Sequence, residues 1–299
     1  MANKRIGLAG AGRMGSAIGE RILAAGFPLA VHNRTAAKLA PLVERGATPT
    51  SSPAELVASA DIVLTVLTDD AAVNAVYADL LAGNAAGRLF AECSTVRTAT
   101  TVGLGDRVRD AGARLVDATL AGPPAAARAG QLLVMCGGSS DDVAEATPVI
   151  QTYARRIVHA GSVGAGATMK LVLMAPMGAY FAALAEGLAA GDRLGLDRAA
   201  MLDVILDSHT APPLLRDRAD VLTGADRPVA FDVTGVRKDL RAIVATGQDA
   251  GVPMSLAAAA LAHFAGAEAN GFGDKDFILV VDYIRSLAAA NEPYLGSRD

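Results

Sequence analysis

Tryptophan is absent from this chain of 299 residues, and aromatic residues together make up only 4% of it. Hydrophobic residues nevertheless account for 52% of the chain and charged residues for 19%. The apolar content is therefore mostly aliphatic, which favours helices packed closely on one another or on a parallel sheet. A chain with this much apolar surface to bury is not expected to be disordered, and its length allows two domains.

Cysteine and excess charge are also scarce. The two cysteines, Cys93 and Cys136, occur in neither a CxxC nor a Cys/His spacing, which excludes a disulfide framework and predicts no metal site. The net charge of −4 and the dispersed basic residues argue against nucleic acid or an anionic membrane as a partner. No N-terminal apolar run has the length of a signal peptide, and no uninterrupted apolar span has bilayer length, so we expect a cytoplasmic protein.

The first half of the chain alternates apolar runs of strand length with helical patterns. Strands are predicted over residues 6–9, 28–32, 62–67, 88–92, 114–118, 132–136 and 156–159. Helices are predicted after the first strand and over residues 71–81, 98–111 and 141–153. Such alternation is typical of βαβ units around a parallel sheet.

The pattern changes after the Gly-rich stretch 161–166. Helical patterns alone follow it, over residues 167–194, 198–208, 214–223, 236–251, 255–270 and 277–290. We therefore predict an α/β domain over residues 1–162 and an all-α domain over residues 163–299. The first of these helices is too apolar to stand alone in water, so we expect other helices, a second subunit or both to cover it.

A Gly-rich turn follows the first strand and opens the first helix. Its six residues are Gly10, Ala11, Gly12, Arg13, Met14 and Gly15. They form the G-x-G-x-x-G pattern, in which Gly10 permits the tight turn, Gly12 lets the backbone approach a pyrophosphate and Gly15 lets helix and strand pack closely. The free N–H groups at the start of the helix favour an anion. In its βαβ context, this motif predicts a Rossmann-type domain that binds a dinucleotide.

The residues after the second strand bear on which dinucleotide binds. A site that prefers NAD places Asp or Glu there to bind the ribose 2′-hydroxyl. This chain has Asn33, Arg34 and Thr35 instead. A carboxylate would repel a 2′-phosphate, whereas the Arg34 guanidinium can pair with it and the Thr35 hydroxyl can donate to it. We therefore predict NADP(H) as the preferred coenzyme, with NAD as the alternative.

Taken together, these motifs resemble the β-hydroxyacid dehydrogenase family, which includes 3-hydroxyisobutyrate dehydrogenase, tartronate semialdehyde reductase and, more distantly, 6-phosphogluconate dehydrogenase. The resemblance covers nearly the whole chain, through residues 10–15, 33–35, 67–70, 94–96, 117–130, 164–170, 238–240 and 273–277. It implies a Rossmann domain followed by an all-α domain that builds a homodimer or homotetramer. It also implies hydride transfer between a nicotinamide and an alcohol or carbonyl carbon.

The resemblance also assigns roles to residues by position. It places Leu67, Thr68 and Thr95 beside the cofactor and brings Lys238 towards the nicotinamide end. It identifies Lys170 as the catalytic acid/base, whose ammonium group donates a proton or a hydrogen bond to the carbonyl oxygen of the substrate. Without the resemblance, a lysine on a helix is most often a solvated surface charge.

Two departures from the family pattern concern the substrate. Where family members that act on small hydroxyacids carry Ser-Gly-Gly, this chain has Ala121, Gly122 and Pro123, so a serine hydroxyl and one backbone N–H are missing. Where the family places asparagines three and four residues after the lysine, this chain has Leu173 and Met174. A buried carboxylate without these partners is costly. We therefore predict a substrate that is larger and less polar than a short hydroxyacid.

Alternatives to this interpretation stay open. Arg128, His209 or Thr210 is a candidate replacement partner for a substrate carboxylate, and the resemblance places His209 in a loop beside the substrate cleft. A second hypothesis is an imine reductase on the same fold, which the apolar residues Leu173 and Met174 favour. Lys170 argues against it, because imine reductases usually carry another residue there. The third is a non-catalytic cofactor-binding protein, which would require a lost lysine or a disrupted glycine turn.

Overall fold

The computed structural model describes residues 4–289. These residues form two compact units, of which the first ends at Val172 and the second begins at Leu173. The boundary between the two units therefore lies within the long helix Ala165–Arg193, a few residues after the Gly-rich stretch 161–166.

Within the described residues, the first unit is built around an eight-stranded sheet. In chain order its strands are β1 Ile6–Ala9, β2 Leu29–His32, β3 Thr48–Pro49, β4 Ile62–Thr65, β5 Leu89–Glu92, β6 Arg114–Ala121, β7 Leu132–Gly137 and β8 Ala154–Gly161. Their order across the sheet is β3-β2-β1-β4-β5-β6-β7-β8. Neighbouring strands from β3 to β6 are parallel, as are β7 and β8, whereas β6 and β7 are antiparallel. The predicted α/β Rossmann-type domain is confirmed.

Apolar residues fill the central strands because both faces of this sheet are covered. Strand β4 is buried along its whole length, as is β5. Adjacent residues of β4 belong to different core clusters, since Leu64 packs in one cluster with Leu8 and Ile18, and Val63 packs in another with Phe90. Successive side chains of a strand point to opposite faces, so the two clusters are the two faces of the sheet.

Helices connect the strands of the first unit. They are α1 Arg13–Ala24, α2 Ala40–Val43, α3 Pro53–Ser59, α4 Asp70–Leu81, α5 Thr98–Asp110, α6 Pro124–Arg128 and α7 Ser140–Ile150. Several begin at a side-chain cap: Asp69 accepts from the Ala72 N–H at the start of α4, and Ser139 accepts from the Asp142 N–H at the start of α7. The connection through α6 is shorter than a parallel crossover needs, so β7 returns antiparallel to β6.

The second unit is helical, as predicted. Helix α8 Ala165–Arg193 crosses into it from the first unit, followed by α9 Arg198–Asp207, α10 Pro213–Arg218, α11 Val233–Asp249, α12 Ser255–Ala267 and α13 Val280–Ala289. The single helix predicted over 214–223 is an α-helix followed by a 3₁₀ segment, and the one predicted over 255–270 ends in a π segment. Between residues 162 and 289 the structure contains no strand beyond an isolated bridge of Asp232 with Asp276.

Helix α8 is long and apolar. A window of it has a mean hydropathy of 1.5, and 39% of that window is buried, so among the described residues it meets the length and composition of a membrane-spanning helix. Core helices of globular proteins have the same composition, so this property alone assigns no membrane. The helix continues through Pro176.

Candidate functional site

The glycine turn lies between β1 and α1, at the carboxyl end of β1. Gly10 has a φ of +104°, a left-handed conformation that favours glycine, and a Cβ there would collide with the Val66 carbonyl oxygen. A Cβ on Gly15 would collide with the Gly10 carbonyl oxygen, so the packing of turn on helix also requires glycine. A Cβ on Gly12 would meet nothing within 4 Å, so this glycine leaves open space at the start of α1.

One side chain joins the glycine turn to the segment that follows β2. The Ala11 N–H donates to Asn33 Oδ1 at 3.0 Å, and Asn33 Nδ2 donates to the Thr35 carbonyl oxygen at 2.8 Å. Arg34 and Thr35 are exposed. The structure therefore brings residues 33–35 together with the glycine turn and leaves the Arg34 side chain accessible to solvent.

These features fit a dinucleotide. Gly12 lets a pyrophosphate approach the amides at the start of α1, and α1 has no acidic residue in its first turn to repel an anion. The segment after β2 carries a guanidinium and a hydroxyl where an NAD-preferring domain carries a carboxylate.

A buried carboxyl group joins the loops that follow β4 and β5. Glu92 is 1% exposed and accepts hydrogen bonds from the Ser94 N–H at 2.6 Å and the Thr65 hydroxyl at 2.5 Å. The Thr65 hydroxyl also bonds to the Tyr77 hydroxyl at 3.0 Å. Ser94 Oγ accepts from the Leu67 N–H at 2.8 Å. Burial raises the pKa of the Glu92 carboxyl group. The network fixes the two loops relative to each other.

Leu67, Thr68 and Thr95 lie in these two loops. Leu67 and Thr95 are partly buried, and Thr68 is exposed. Because β1, β4 and β5 are parallel, the two loops lie at the same edge of the sheet as the glycine turn. Rossmann domains bind their ligands at this carboxyl edge.

Helix α8 begins against strand β6. Asp117 on β6 accepts hydrogen bonds from the Gly164 N–H at 2.8 Å and from the Ala167 N–H at 2.7 Å. On the same face of β6, the Thr119 hydroxyl donates to the Gly166 carbonyl oxygen at 2.8 Å. Asp117 is fully buried, and burial raises the pKa of its carboxyl group even though the backbone N–H groups oppose that shift.

Lys170 follows this start of α8 by one turn. The residue is 8% exposed, which is rare for a lysine. A buried ammonium group is costly, and buried charged groups concentrate at functional sites. The position of Lys170 therefore differs from that of the solvated surface lysine that a helix most often carries.

Three of the predicted substrate residues and alternatives lie near the end of β6. Ala121 ends the strand, and Gly122 follows it with a φ of +132°. The Arg128 guanidinium pairs with Glu20, with Nε 3.1 Å from Oε2. A substrate carboxylate would therefore compete with Glu20 for Arg128.

The remaining predicted residues belong to the second unit. Leu173 is 44% exposed, and Met174 is partly buried. His209 is exposed in the loop between α9 and α10. Lys238 on α11 has its Nζ 2.8 Å from Oδ1 of the buried Asp239. The predicted coenzyme residues other than Lys238 lie with Lys170 in the first unit, and the predicted substrate residues are divided between the two units.

Glu92, Asp117 and Thr119 are polar residues of the site that sequence reasoning missed. Glu92 and Asp117 each interrupt an apolar strand with a carboxyl group. A carboxyl group in a buried strand needs hydrogen-bond partners, so this pattern is the sequence signal that could have drawn attention to them.

The chain matches two family models and is similar to proteins of known activity. Residues 5–161 match the family model for the NAD-binding domain of 6-phosphogluconate dehydrogenase. Residues 164–284 match the family model described as NAD-binding of NADP-dependent 3-hydroxyisobutyrate dehydrogenase. The Arabidopsis thaliana glyoxylate/succinic semialdehyde reductase 1 is 31% identical over 283 residues, which cover 94% of this chain and 98% of the relative.

Solved structures share the fold. The Mycobacterium tuberculosis 3-hydroxyisobutyrate dehydrogenase is 25% identical, with a TM-score of 0.83 over 94% of this chain and 99% of that one. An imine reductase from Pseudomonas sp. is 20% identical, with a TM-score of 0.60 over 94% of this chain and 99% of its own. At that identity, the likeness to the imine reductase concerns the fold alone.

Proposed function

Because the chain belongs to the β-hydroxyacid dehydrogenase family of NAD(P)-dependent oxidoreductases that act on CH–OH groups, we propose that it interconverts an alcohol and a carbonyl compound with NADP(H), using Lys170 as general acid and base. We further propose that its substrate is less polar than a short hydroxyacid. The observation that carries the proposal is a buried lysine one turn after the start of α8, in a chain whose glycine turn fits a dinucleotide.

The coenzyme preference rests on the segment after β2. Arg34 is exposed there and pairs with a 2′-phosphate, while Thr35 donates a hydroxyl to it. Asn33 bonds to both the glycine turn and the Thr35 carbonyl oxygen, so it holds the segment in register with the pyrophosphate-binding amides. Residues 33–35 contain no carboxylate, so no negative charge there repels the phosphate.

The chemical step needs a proton at the substrate oxygen. When bound, the reduced nicotinamide supplies a hydride to the carbonyl carbon. The Lys170 ammonium group donates a hydrogen bond to the carbonyl oxygen, transfers its proton as negative charge develops there and takes the proton back in the reverse direction. Its burial keeps water away from the ammonium group, which strengthens its interaction with the developing charge.

The preference for a less polar substrate rests on what stands near the lysine in the sequence. Leu173 and Met174 follow Lys170 by one turn of α8, and neither side chain can bond to a carboxylate. Ala121 has no hydroxyl, and Pro123 has no N–H. A carboxylate here would lose hydration without gaining partners.

Two aldehydes of equal size test the proposal. Succinic semialdehyde carries a carboxylate, and isocaproaldehyde has the same number of heavy atoms with an isopropyl group in its place. We expect NADPH oxidation to proceed with a higher kcat/KM for isocaproaldehyde, and NADH to serve less well than NADPH. Equal or faster turnover of succinic semialdehyde would contradict the predicted polarity. If the protein binds NADPH but reduces neither aldehyde, the result contradicts the proposed reaction and favours a non-catalytic coenzyme-binding role.

An imine reductase is the second candidate function. The apolar residues Leu173 and Met174 favour it, and the buried Lys170 opposes it, because reduction of a protonated imine does not need a lysine to protonate an oxygen. Pyrroline in the same NADPH assay separates the two candidates. Reduction of pyrroline that exceeds reduction of both aldehydes, and that survives replacement of Lys170, would favour the imine reductase.

We also propose that the chain forms a homodimer through its second unit, and that two dimers can pair into a tetramer. A largely apolar groove of about 580 Å³ lies in this unit, lined by residues that include Tyr180, Leu188, Leu196, Met201 and Val204. Val204 is 68% exposed and Leu196 is 59% exposed, so this face leaves large apolar side chains in water. Light scattering on the purified protein is expected to give at least twice the chain mass, and a monomer at micromolar concentration would contradict the proposal.

A further inference from the structure

We propose that Asp117 is a positioning residue that orients Lys170 by fixing the first turn of α8 to strand β6. The inference rests on the proposed function, which assigns the acid/base role to Lys170. It adds a residue that touches neither substrate nor coenzyme and that acts on the reaction through the backbone of one helical turn.

The N–H groups at the start of α8 find their acceptors on another element of the fold. A helix start leaves N–H groups without partners inside the helix, and they are commonly capped by the residue just before it. Here the partner comes from another element, since Asp117 Oδ1 accepts from Gly164 and Oδ2 accepts from Ala167. The start of α8 is therefore fixed to the sheet and not only to its own flanking loop.

A further anchor of α8 lies on the same strand. Thr119 stands two residues after Asp117 on the same face of β6, and its hydroxyl donates to the Gly166 carbonyl oxygen. Asp117 binds N–H groups and Thr119 binds a carbonyl group of the same short segment. Bonds to both sides of one turn restrict its rotation about the helix axis as well as its distance from the sheet.

Two glycines leave the space that the Asp117 carboxyl group occupies. A Cβ on Gly137, the cross-strand neighbour of Asp117 on β7, would collide with Asp117 Oδ1. A Cβ on Gly166 would lie 2.7 Å from Asp117 Oδ2. Glycine on both sides therefore makes the close approach of carboxyl group, strand and helix start feasible.

The residues that Asp117 anchors are close to Lys170 along α8. Lys170 follows Ala167 by three residues, so the two lie on neighbouring positions of one helix face. Loss of the Asp117 carboxyl group would leave two buried N–H groups without an acceptor and loosen the turn from which the Lys170 side chain projects. A shift of about 1 Å in a reacting group can lower a rate by roughly 100-fold.

The experiment compares two Asp117 variants with a matched cap variant elsewhere. Asp117→Ala removes both acceptors, and Asp117→Asn keeps one. Ser139→Ala removes the side-chain acceptor at the start of α7, so it also costs a helix cap but lies outside the proposed site. Each protein is assayed with NADPH and whichever of isocaproaldehyde and succinic semialdehyde the unaltered protein reduces faster, and its NADPH Kd is measured by fluorescence.

We expect kcat to fall roughly 10- to 100-fold in Asp117→Ala and less in Asp117→Asn, while the NADPH Kd changes by less than about 3-fold. Ser139→Ala is expected to lower the Tm but to leave kcat unchanged. A kcat for either Asp117 variant equal to that of Ser139→Ala would overturn the inference. If Asp117→Ala does not fold, Asp117→Asn decides the comparison.

A double-mutant cycle separates this inference from the proposed function. If Asp117 acts through Lys170, Asp117→Asn added to Lys170→Met lowers kcat no further than Lys170→Met alone. Additive losses would overturn the inference and leave Lys170 as the acid. Full activity of Lys170→Met would overturn the proposed function itself. Amide hydrogen exchange over residues 164–170 should accelerate in Asp117→Asn but not in Ser139→Ala, and unchanged exchange would contradict the anchor regardless of activity.

Discussion

The two units of the chain differ in the kind of residue that the predictions assign to each of them. In the first unit, the predicted site residues are positioned by backbone geometry and by buried polar groups. Examples are Gly10 at a positive φ and the carboxyl groups of Glu92 and Asp117. In the second unit, the predicted substrate residues Leu173 and Met174 are apolar, and the groove near α9 is lined mostly by apolar side chains. Polar and glycine positions tolerate few residue types, whereas apolar surfaces are defined by shape. The coenzyme is therefore better specified by residue identity than the substrate is.

Replacing two glycines of the same turn should give the largest effects, and it tests how strictly the first unit depends on residue identity. Gly15→Ala should lower the free energy of unfolding by about 3 kcal/mol or more, because its Cβ collides with the Gly10 carbonyl oxygen. Gly12→Ala should cost only about 1 kcal/mol, because Gly12 has a φ of −75° and open space around its Cβ position. Urea denaturation measures both.

Coenzyme affinity should rank the two variants in the opposite order. If both proteins fold, Gly12→Ala should weaken NADPH binding more than Gly15→Ala does. We expect Gly12→Ala to raise the NADPH Kd roughly 100-fold, because its Cβ would occupy the space through which a pyrophosphate approaches the backbone. If Gly12→Ala binds NADPH as tightly as the unaltered protein, the pyrophosphate does not lie at the start of α1.

Glu92 provides a test of the buried polar network. Folding raises the pKa of its carboxyl group, so the folded state binds the proton more tightly than the unfolded state does. The resulting stability is fully present below the ordinary value of 4.5 and is lost as the pH rises through the raised folded value.

Glu92→Gln has the same shape and no titration, so it serves as the reference. We expect the free energy of unfolding of the unaltered protein to decline relative to that of Glu92→Gln between pH 4.5 and neutrality. Urea denaturation across that range measures the difference. A difference that does not change with pH would show that folding leaves the proton affinity of Glu92 unaltered.

Arg34 tests the coenzyme preference. Arg34→Ala should raise the NADPH Kd about 10-fold by removing a charge-assisted pair with the 2′-phosphate, and should leave the NADH Kd unchanged. Arg45→Ala, another exposed arginine in the first unit, is the control. Equal losses for NADPH and NADH would place Arg34 away from the 2′-phosphate.

Leu173 and Met174 test the apolar side of the comparison. Replacing both with asparagine should raise kcat/KM for succinic semialdehyde relative to isocaproaldehyde by about 10-fold, because the two amides can donate to a carboxylate. Val172→Asn, at a neighbouring position that is 62% exposed, is the control. No change in the ratio would mean that these side chains do not face the substrate.

The sequence predicted the fold better than it predicted the site's internal connections. The alternating pattern located the strands at Ile6 and Ile62, because fully buried strands are continuous apolar runs. It missed β3, a two-residue strand that contains Pro49, because so short an edge strand has no periodicity. The bonds of Asp117 join residues 47 and 50 positions apart in the chain, so no local pattern could reveal them.

The most direct test of the account is the turnover of Lys170→Met at saturating NADPH. We expect kcat for the better aldehyde of the pair to fall about 100- to 10,000-fold with little change in the NADPH Kd, because only proton donation to the substrate oxygen is lost. Lys4→Met, which replaces an exposed lysine paired with Glu145, should leave kcat unchanged. A Lys170→Met protein that reduces the aldehyde as fast as the unaltered protein would contradict the central claim.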